Sequence, residues 1–320
     1  MSDQPTVTLV SAANQGYFWG LFLLAASVER WNLGTKLLLF HTGLDAPSER
    51  WLTQFPRTEL RRFGKDSPFG LHCRKAEAML EADGDYIGWL DSDCLVIGDL
   101  NEFLIPLNGQ MQARLRKPEE IRRDQARFYA PGEPTGGMPR LVLDRWRQDV
   151  GQRQEPRFSS MVPSNVFVMH SRFKPFLDHW DRQMHKVLDP KVRGTLDLNQ
   201  PAYLLSDESV LNSLLAFADF APEVCDYRLA LERERHMAHF MGSPKPWVRW
   251  SPSNLYCLPF ALDLMDWLPQ AGYDRPPLPP SLQAARRNVS VLEAHVMGRV
   301  QWVRTKIRGA RRKLGQRVGK

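Results

Sequence analysis

Three short stretches of this 320-residue chain concentrate the residue types that perform chemistry. Asp91-Ser92-Asp93 follows YIGWL, residues 86–90, a run apolar at every position but its glycine. Side chains two apart on an extended backbone point the same way, so both carboxylates, with Ser92 between them, are placed to converge on one hard divalent cation. Turn formation by aspartate after a strand is the other reading of the triplet. His239-Phe240-Met241-Gly242-Ser243-Pro244-Lys245-Pro246-Trp247 joins four useful groups. These are a nitrogen ligand for a borderline metal, a glycine that permits close backbone approach, a cation able to neutralise a diphosphate, and an aromatic wall. A Pro-rich surface loop with an incidental histidine is the alternative. Asp207-Glu208 opens a pattern in which Val210, Leu211, Leu214 and Leu215 form one helical stripe; the two acids either face a reaction or complement the helix dipole.

Strands and helices must carry these groups. TVTLVS (6–11) and KLLLF (36–40) read as strands flanking an apolar segment, 16–28, that is too short to span a bilayer and reads as a buried helix. The residues before that segment hold Asp3 and no cation, unlike a secretory signal. A helix over 74–81 leads through the Asp83-Gly84 turn into YIGWL. Continuous apolar strands alternating with helices predict an α/β, Rossmann-like fold with a mostly parallel sheet covered on both faces, and such sheets bind ligands outside the carboxyl ends of their strands, where Asp91 falls. Residues 114–127 are highly charged and APGEPTGGMP (130–139) excludes regular structure, so this stretch reads as a mobile insertion within a divergent segment, 110–160. NVFVMH (165–170) reads as a strand, with helices over 172–188 and 207–218. PPLPP (276–280) reads as a stiff linker separating residues 1–275 from a tail, 276–320, in which Val300, Val303 and Ile307 recur at helical spacing beside cations.

Composition narrows the function class. With 43% hydrophobic and 25% charged residues the chain is neither disordered nor collagenous. Four cysteines without a C-x-x-C pair exclude a disulfide framework and a thiolate zinc site and predict a reducing, cytoplasmic setting. Of the net charge of +7, eight cations with no acid lie in residues 303–320 (Arg304, Lys306, Arg308, Arg311, Arg312, Lys313, Arg317, Lys320), and the rest of the chain stands at −1. That distribution argues against a broad nucleic-acid-binding face and predicts that the tail meets an anionic membrane surface, nucleic acid being its other candidate partner.

The block His-x-x-Gly-x-x-Lys-Pro-Trp, met at all five fixed positions by His239, Gly242, Lys245, Pro246 and Trp247, and WLDSDCLVI (89–97) followed by Gly98-Asp99-Leu100 together resemble one family. It is that of the family 8 glycosyltransferases of the GT-A fold, which include glycogenin and bacterial lipopolysaccharide galactosyl- and glucosyltransferases. The resemblance runs over roughly residues 7–250 and implies a GT-A catalytic domain within 1–275. It further implies a Mn²⁺ or Mg²⁺ ion held by Asp91, Asp93 and His239 on the diphosphate of a UDP-sugar, with Gly242 and Lys245 as diphosphate contacts. Arg74 falls where a basic residue contacts the donor, with Lys75 as the neighbour able to substitute. Ala12-Ala13-Asn14-Gln15-Gly16-Tyr17 resembles the nucleotide-binding turn, with Tyr17 at the position that stacks on uracil and Asn14 in place of a commoner Asp. DESVLN (207–212) resembles the family's Asp-Gln-Asp-hydrophobic-Leu-Asn beside the reacting sugar. Asp207 is then a sugar contact, Glu208 a nucleophile or an oxocarbenium stabiliser, and Ser209 a departure from Asp. Pro163-Ser164-Asn165 stands where the family has Asn-Ala/Ser-Gly, which makes Asn165 the candidate donor-sugar contact.

The implied activity is metal-dependent, retaining transfer of a hexosyl group to a saccharide or lipid-linked saccharide acceptor, as in lipopolysaccharide or polysaccharide assembly, at the inner face of the membrane. A catalytically degenerate sugar-nucleotide-binding or scaffold protein is the competing reading, and a nucleic-acid-binding protein acting through its tail is the third. A sugar-nucleotide nucleotidyltransferase is excluded, because residues 11–16 offer no cation to hold a triphosphate.

Overall fold

The apolar runs become strands and buried helices in a computed structural model of the chain, which describes residues 5–31, 34–64, 67–106, 109–190, 196–197, 200–227 and 236–318. In chain order the elements begin β1 (Val7–Ala13), α1 (Phe18–Trp31), β2 (Lys36–His41), α2 (Ala46–Thr53), β3 (Thr58–Arg62), α3 (Lys75–Leu80), β4 (Tyr86–Leu90), β5 (Cys94–Val96) and α4 (Asn101–Leu104). There follow β6 (Met111–Ala113), α5 (Pro118–Gln125), α6 (Arg140–Val150), β7 (Val166–His170), α7 (Lys174–Val187), α8 (Ser206–Phe217), β8 (Val224–Asp226), β9 (Met237–His239), α9 (Leu258–Gln270) and α10 (Arg287–Val318). They divide into two units, Met1–Ser92 with Val96–Met237, and Asp93–Leu95 with Ala238–Lys320.

The first unit is built on a seven-stranded sheet in the order β3-β2-β1-β4-β7-β6-β8. Neighbours are parallel except β7, which runs antiparallel to both β4 and β6. Val10, Leu38 and Ile87 share one core with Met79, Trp180 and Leu214. Leu9, Leu37 and Leu39 alternate with them along the strands and are equally buried, the double burial that continuous apolar strands demand. Gly88 lets the neighbours of β4 close over it, since a Cβ there would lie 2.7 Å from Leu9 Cδ2 and 2.9 Å from Val168 Cγ2.

One expectation is corrected. The 110–160 segment is a built part of this unit: it supplies β6, an interior strand between β7 and β8, together with α5 and α6. Its charges are paired within it, Arg114 with Glu120 and Arg116 with Asp124, while 130–139 holds no helix or strand, as its prolines and glycines require. The sheet is mostly parallel, as expected, and β7 is the strand that reverses direction. An apolar strand reads the same either way along the sequence.

The second unit contains most of the β5–β9 pair, α9, the Pro-rich 276–280 run and α10. Buried Phe240 meets Trp247 and Trp250 edge-on, at centroid distances of 6.4 and 6.1 Å, and Trp250 Nε1 donates to Ser281 O at 2.8 Å. Gly298 allows α10 to run close to Pro252, whose Cγ lies 2.9 Å from where a Cβ would stand.

Candidate active site

In the first unit, β1 and β4 are adjacent, parallel and in register at Val10 and Trp89, so the chain leaves both at the same edge of the sheet. β1 is also where the strand order turns from β2 to β4, the switch point at which open α/β sheets leave a crevice. Ala13 ends β1, Asn14 follows as the N-cap of a single 3-10 turn, and Tyr17 in that turn is 38% exposed. Asp91 comes directly after β4 and its backbone N–H donates to Asn165 O at 2.8 Å, which ties it to the entry of β7.

Around Asp91 lies a buried charge cluster. Lys75 Nζ stands 3.0 Å from Asp91 Oδ1 and 3.2 Å from Asp207 Oδ2, and donates to Ser164 O and Oγ at 2.9 and 3.0 Å. Ser164 Oγ donates to Asp207 Oδ2 at 2.8 Å, and Trp89 Nε1 to Asp91 Oδ1 at 2.6 Å. The last bond follows from residues two apart in a strand sharing a face. Burial by itself pulls the Lys75 ammonium down, but Asp207 and Asp91 outweigh it and hold the group charged well above the ordinary lysine value. His72 senses the same groups; burial dominates, drawing its imidazole below the usual range, and Nε2 is buried without a hydrogen-bond partner.

Asp207 is set by the start of α8. Ser206, its first residue, takes a left-handed φ of 39°, a costly conformation for a residue with a side chain, immediately beside the acid pair. Asn212 locks the helix to the strand of chain before β7: Oδ1 accepts from Val162 N at 2.7 Å, and Nδ2 donates to Val162 O at 2.9 Å and Glu208 O at 2.7 Å. Glu208 pairs with Arg116, Nη2 to Oε1 at 2.7 Å.

The second unit holds the other constellation. Ser92 and Asp93 form a turn rather than continuing the strand, so alternation along an extended backbone does not set the Asp93 direction. Its carboxylate instead receives two groups from the late motif, His239 Nε2 at 3.1 Å from Oδ1 and Lys245 Nζ at 2.5 Å from Oδ2. Burial pushes this carboxyl up; the imidazole and the ammonium more than reverse that and hold it well below the usual carboxylate range. Lys245 also donates to Phe240 O at 2.7 Å, Phe240 N donates to Asp93 O at 2.8 Å, and Met241 N to His239 O at 2.8 Å, which folds the motif back on itself. Gly242 carries φ 76°, the left-handed region that the turn requires, and the Ser243–Pro244 peptide is cis. Asp93, Cys94 and His239 offer ligand atoms all within 4.8 Å of one another.

Of the residues singled out from the sequence, the structure thus brings Asp93, His239 and Lys245 together, and Asp91 with Asp207. Arg74 is not among them: its guanidinium grips Glu77 at 2.7 and 2.6 Å and stacks on Phe63 at 3.8 Å, while Lys75 takes the central place. Ser164 lies in the Pro163-Ser164-Asn165 block, but nothing there marks its bonds to Lys75 and Asp207, and Arg116 lies outside every motif. Their partners lie 43 and 92 residues away in the chain.

No family model matches the sequence, and no curated protein matches it. Solved structures do resemble it. The bifunctional glycosyltransferase WbbM aligns at 14% identity over 77% of this chain and 48% of its own, with a TM-score of 0.50, so the chain spans about half of WbbM's length. GlyE of Streptococcus pneumoniae TIGR4 aligns at 15% identity over 85% of this chain and 65% of its own, with a TM-score of 0.49. LgtC, solved with donor and acceptor sugar analogs, aligns at 15% identity over 75% and 89%, with a TM-score of 0.44. The mostly parallel sheet, its switch point at β1 and β4, and the WbbM likeness together identify the architecture: this chain has the GT-A fold of glycosyltransferases.

Proposed function

We propose that the chain is a metal-dependent, retaining glycosyltransferase that moves a hexosyl group from a UDP-sugar to a saccharide or lipid-linked saccharide. The observation that carries the reading is the convergence on Asp93 of His239 and Lys245, which come from 146 and 152 residues away and belong to the one sequence block that names a diphosphate site. The fold shared with WbbM supports a transferase.

A carboxylate oxygen and an imidazole nitrogen at Asp93 and His239 suit Mn²⁺ or Mg²⁺, with Asp91, two residues away along the chain, as the further ligand that the family resemblance names. Bound there, the ion supplies positive charge against the negative charge of the departing UDP. The protein's own groups do the remaining work. Lys245 is the second cation for the diphosphate, and Gly242, without a side chain, lets the backbone approach it. Exposed Tyr17 stacks on the base and Asn14 bonds its edge. Asp207, held by Lys75 and Ser164, and Asn165 orient the sugar hydroxyls, and Glu208 faces the positive charge that grows at the anomeric carbon. The tail in α10 docks on an anionic membrane surface at the cytoplasmic face.

UDP release from a panel of UDP-sugars with Mn²⁺, without acceptor, tests the reading. Turnover is expected with at least one donor, to stop on chelation, and to fall by about 10²–10³ in Asp93→Asn and in Asp91→Ala. Near-full turnover in either variant overturns the metal assignment. Tight UDP-sugar binding with no release from any donor identifies a degenerate binding protein instead.

A further inference from the structure

Arg116 lies in the segment between β6 and α5, outside every motif, yet its guanidinium bridges two acids: Nη1 reaches Asp124 Oδ2 of α5 at 2.5 Å and Nη2 reaches Glu208 Oε1 at 2.7 Å. All three side chains are largely buried, Arg116 and Glu208 at 15% and 13% exposure, and Arg116 Nε is buried with no hydrogen-bond partner. A buried ion pair left incompletely satisfied is a poor way to gain stability, because desolvation offsets most of the attraction. Its position says more. Asp207 and Glu208 are consecutive acids at the start of α8, and each is given its own cation from a different element, Lys75 from α3 and Arg116 from the segment leading into α5. Two neighbouring buried carboxylates without such partners do not both stay ionised.

We propose that Arg116 is a positioning residue that clamps the Glu208 carboxylate beside Asp207, with Asp124 of α5 as its anchor. The inference rests on the glycosyl-transfer reading for what Glu208 then does, namely present a fixed negative charge to the reacting sugar. It gives the charged insertion a task in the site: α5 carries the anchor of a clamp whose jaw is in α8. The groups that bear on Glu208 are Arg116, Asp207 and Lys75; burial raises its carboxyl above the usual range and Arg116 is the largest opposing influence. Loss of the guanidinium therefore leaves the acid to take up a proton at higher pH.

Two series on the full chain test the clamp. In UDP release from the best UDP-sugar with Mn²⁺, Arg116→Met moves the acidic limb of the pH profile up by about one unit or more, and Arg116→Lys returns it most of the way. Glu208→Gln removes the limb, and Arg116→Met/Glu208→Gln superposes on Glu208→Gln. A limb unmoved in Arg116→Met, or a movement that persists beside Glu208→Gln, overturns the proposal. The second series needs no substrate. A carboxyl raised in the folded state costs stability as pH rises through its folded value, so Arg116→Met lowers the melting temperature more near pH 8 than near pH 5, and Glu208→Gln restores it. An equal loss at both pH values, or no restoration, also overturns the clamp. Absence of turnover in the unmodified protein counts against the glycosyl-transfer reading alone, since the melting series still decides the clamp.

Discussion

Lys75 shows how much the buried half of the site depends on one charge. It stands between Asp91 and Asp207 at 5% exposure, within 3.0 Å of one carboxylate and 3.2 Å of the other. Lys75→Met would leave two carboxylates facing each other's field in a low-dielectric pocket, and breaking a buried pair from one side costs about 3–5 kcal/mol. Urea unfolding should show a loss of that size, with part of it recovered on adding Asp207→Asn; a loss below about 1 kcal/mol would mean the cluster is wetter than its burial indicates. The grouping of Asp93 with His239 and Lys245 was legible from the chain, because their neighbours in sequence mark both blocks. Arg74 and Lys75 were separable only by the fold, because one residue at a 3-10 to α junction turns a side chain by about 100° around the axis. The partners of Ser164 and Arg116 were illegible because they lie far along the sequence.

At the level of elements, the site depends on α8 holding the segment before β7. Asn212, fully buried, makes three bonds that do this, two of them to Val162. Asn212→Ala strands the N–H and C=O of Val162 away from water and leaves a small void, a loss of about 2–4 kcal/mol in denaturant unfolding. Ser164 and Asn165 lie two and three residues beyond Val162, so UDP release should fall as well; a variant that loses stability but keeps full turnover at saturating donor would separate the brace from the site. The alternation β1, α1, β2 and the YIGWL strand were readable because apolar runs of that length have few other uses. β6 was not: three residues, Met111-Gln112-Ala113, with a polar centre carry no periodic signal, and the charge that follows them resembles a solvated loop until Glu120 and Asp124 are seen to pair with Arg114 and Arg116.

Over the whole molecule, charge and apolar exposure coincide on one helix. α10 exposes Val289, Leu292, Val296, Val300, Val303 and Ile307, spaced three or four apart, with Trp302 beside them, and the chain's unbalanced cations follow in residues 303–320. Of those cations the side chain of Lys306 is described, 5.5 Å from the Trp302 ring; the side chains of Arg304, Arg308, Arg311, Arg312, Lys313 and Arg317 lie outside the described residues, as does Lys320. Among the described residues no helix is long and apolar enough to cross a membrane; the proposed docking therefore has this apolar stripe lying in the plane of the interface. If docking follows, the full chain co-sediments with vesicles containing phosphatidylserine and not with phosphatidylcholine alone, Trp302 emission shifts to the blue on binding, and deletion of residues 303–320 abolishes both. Because cations near a charged surface contribute about 1 kcal/mol each, screened over a Debye length, binding should weaken steeply as salt rises. Vesicle binding that survives the deletion, or duplex DNA binding with the same salt dependence and no affinity for either vesicle, would transfer the tail to another partner while leaving the proposed chemistry at Asp93 and Glu208 untouched.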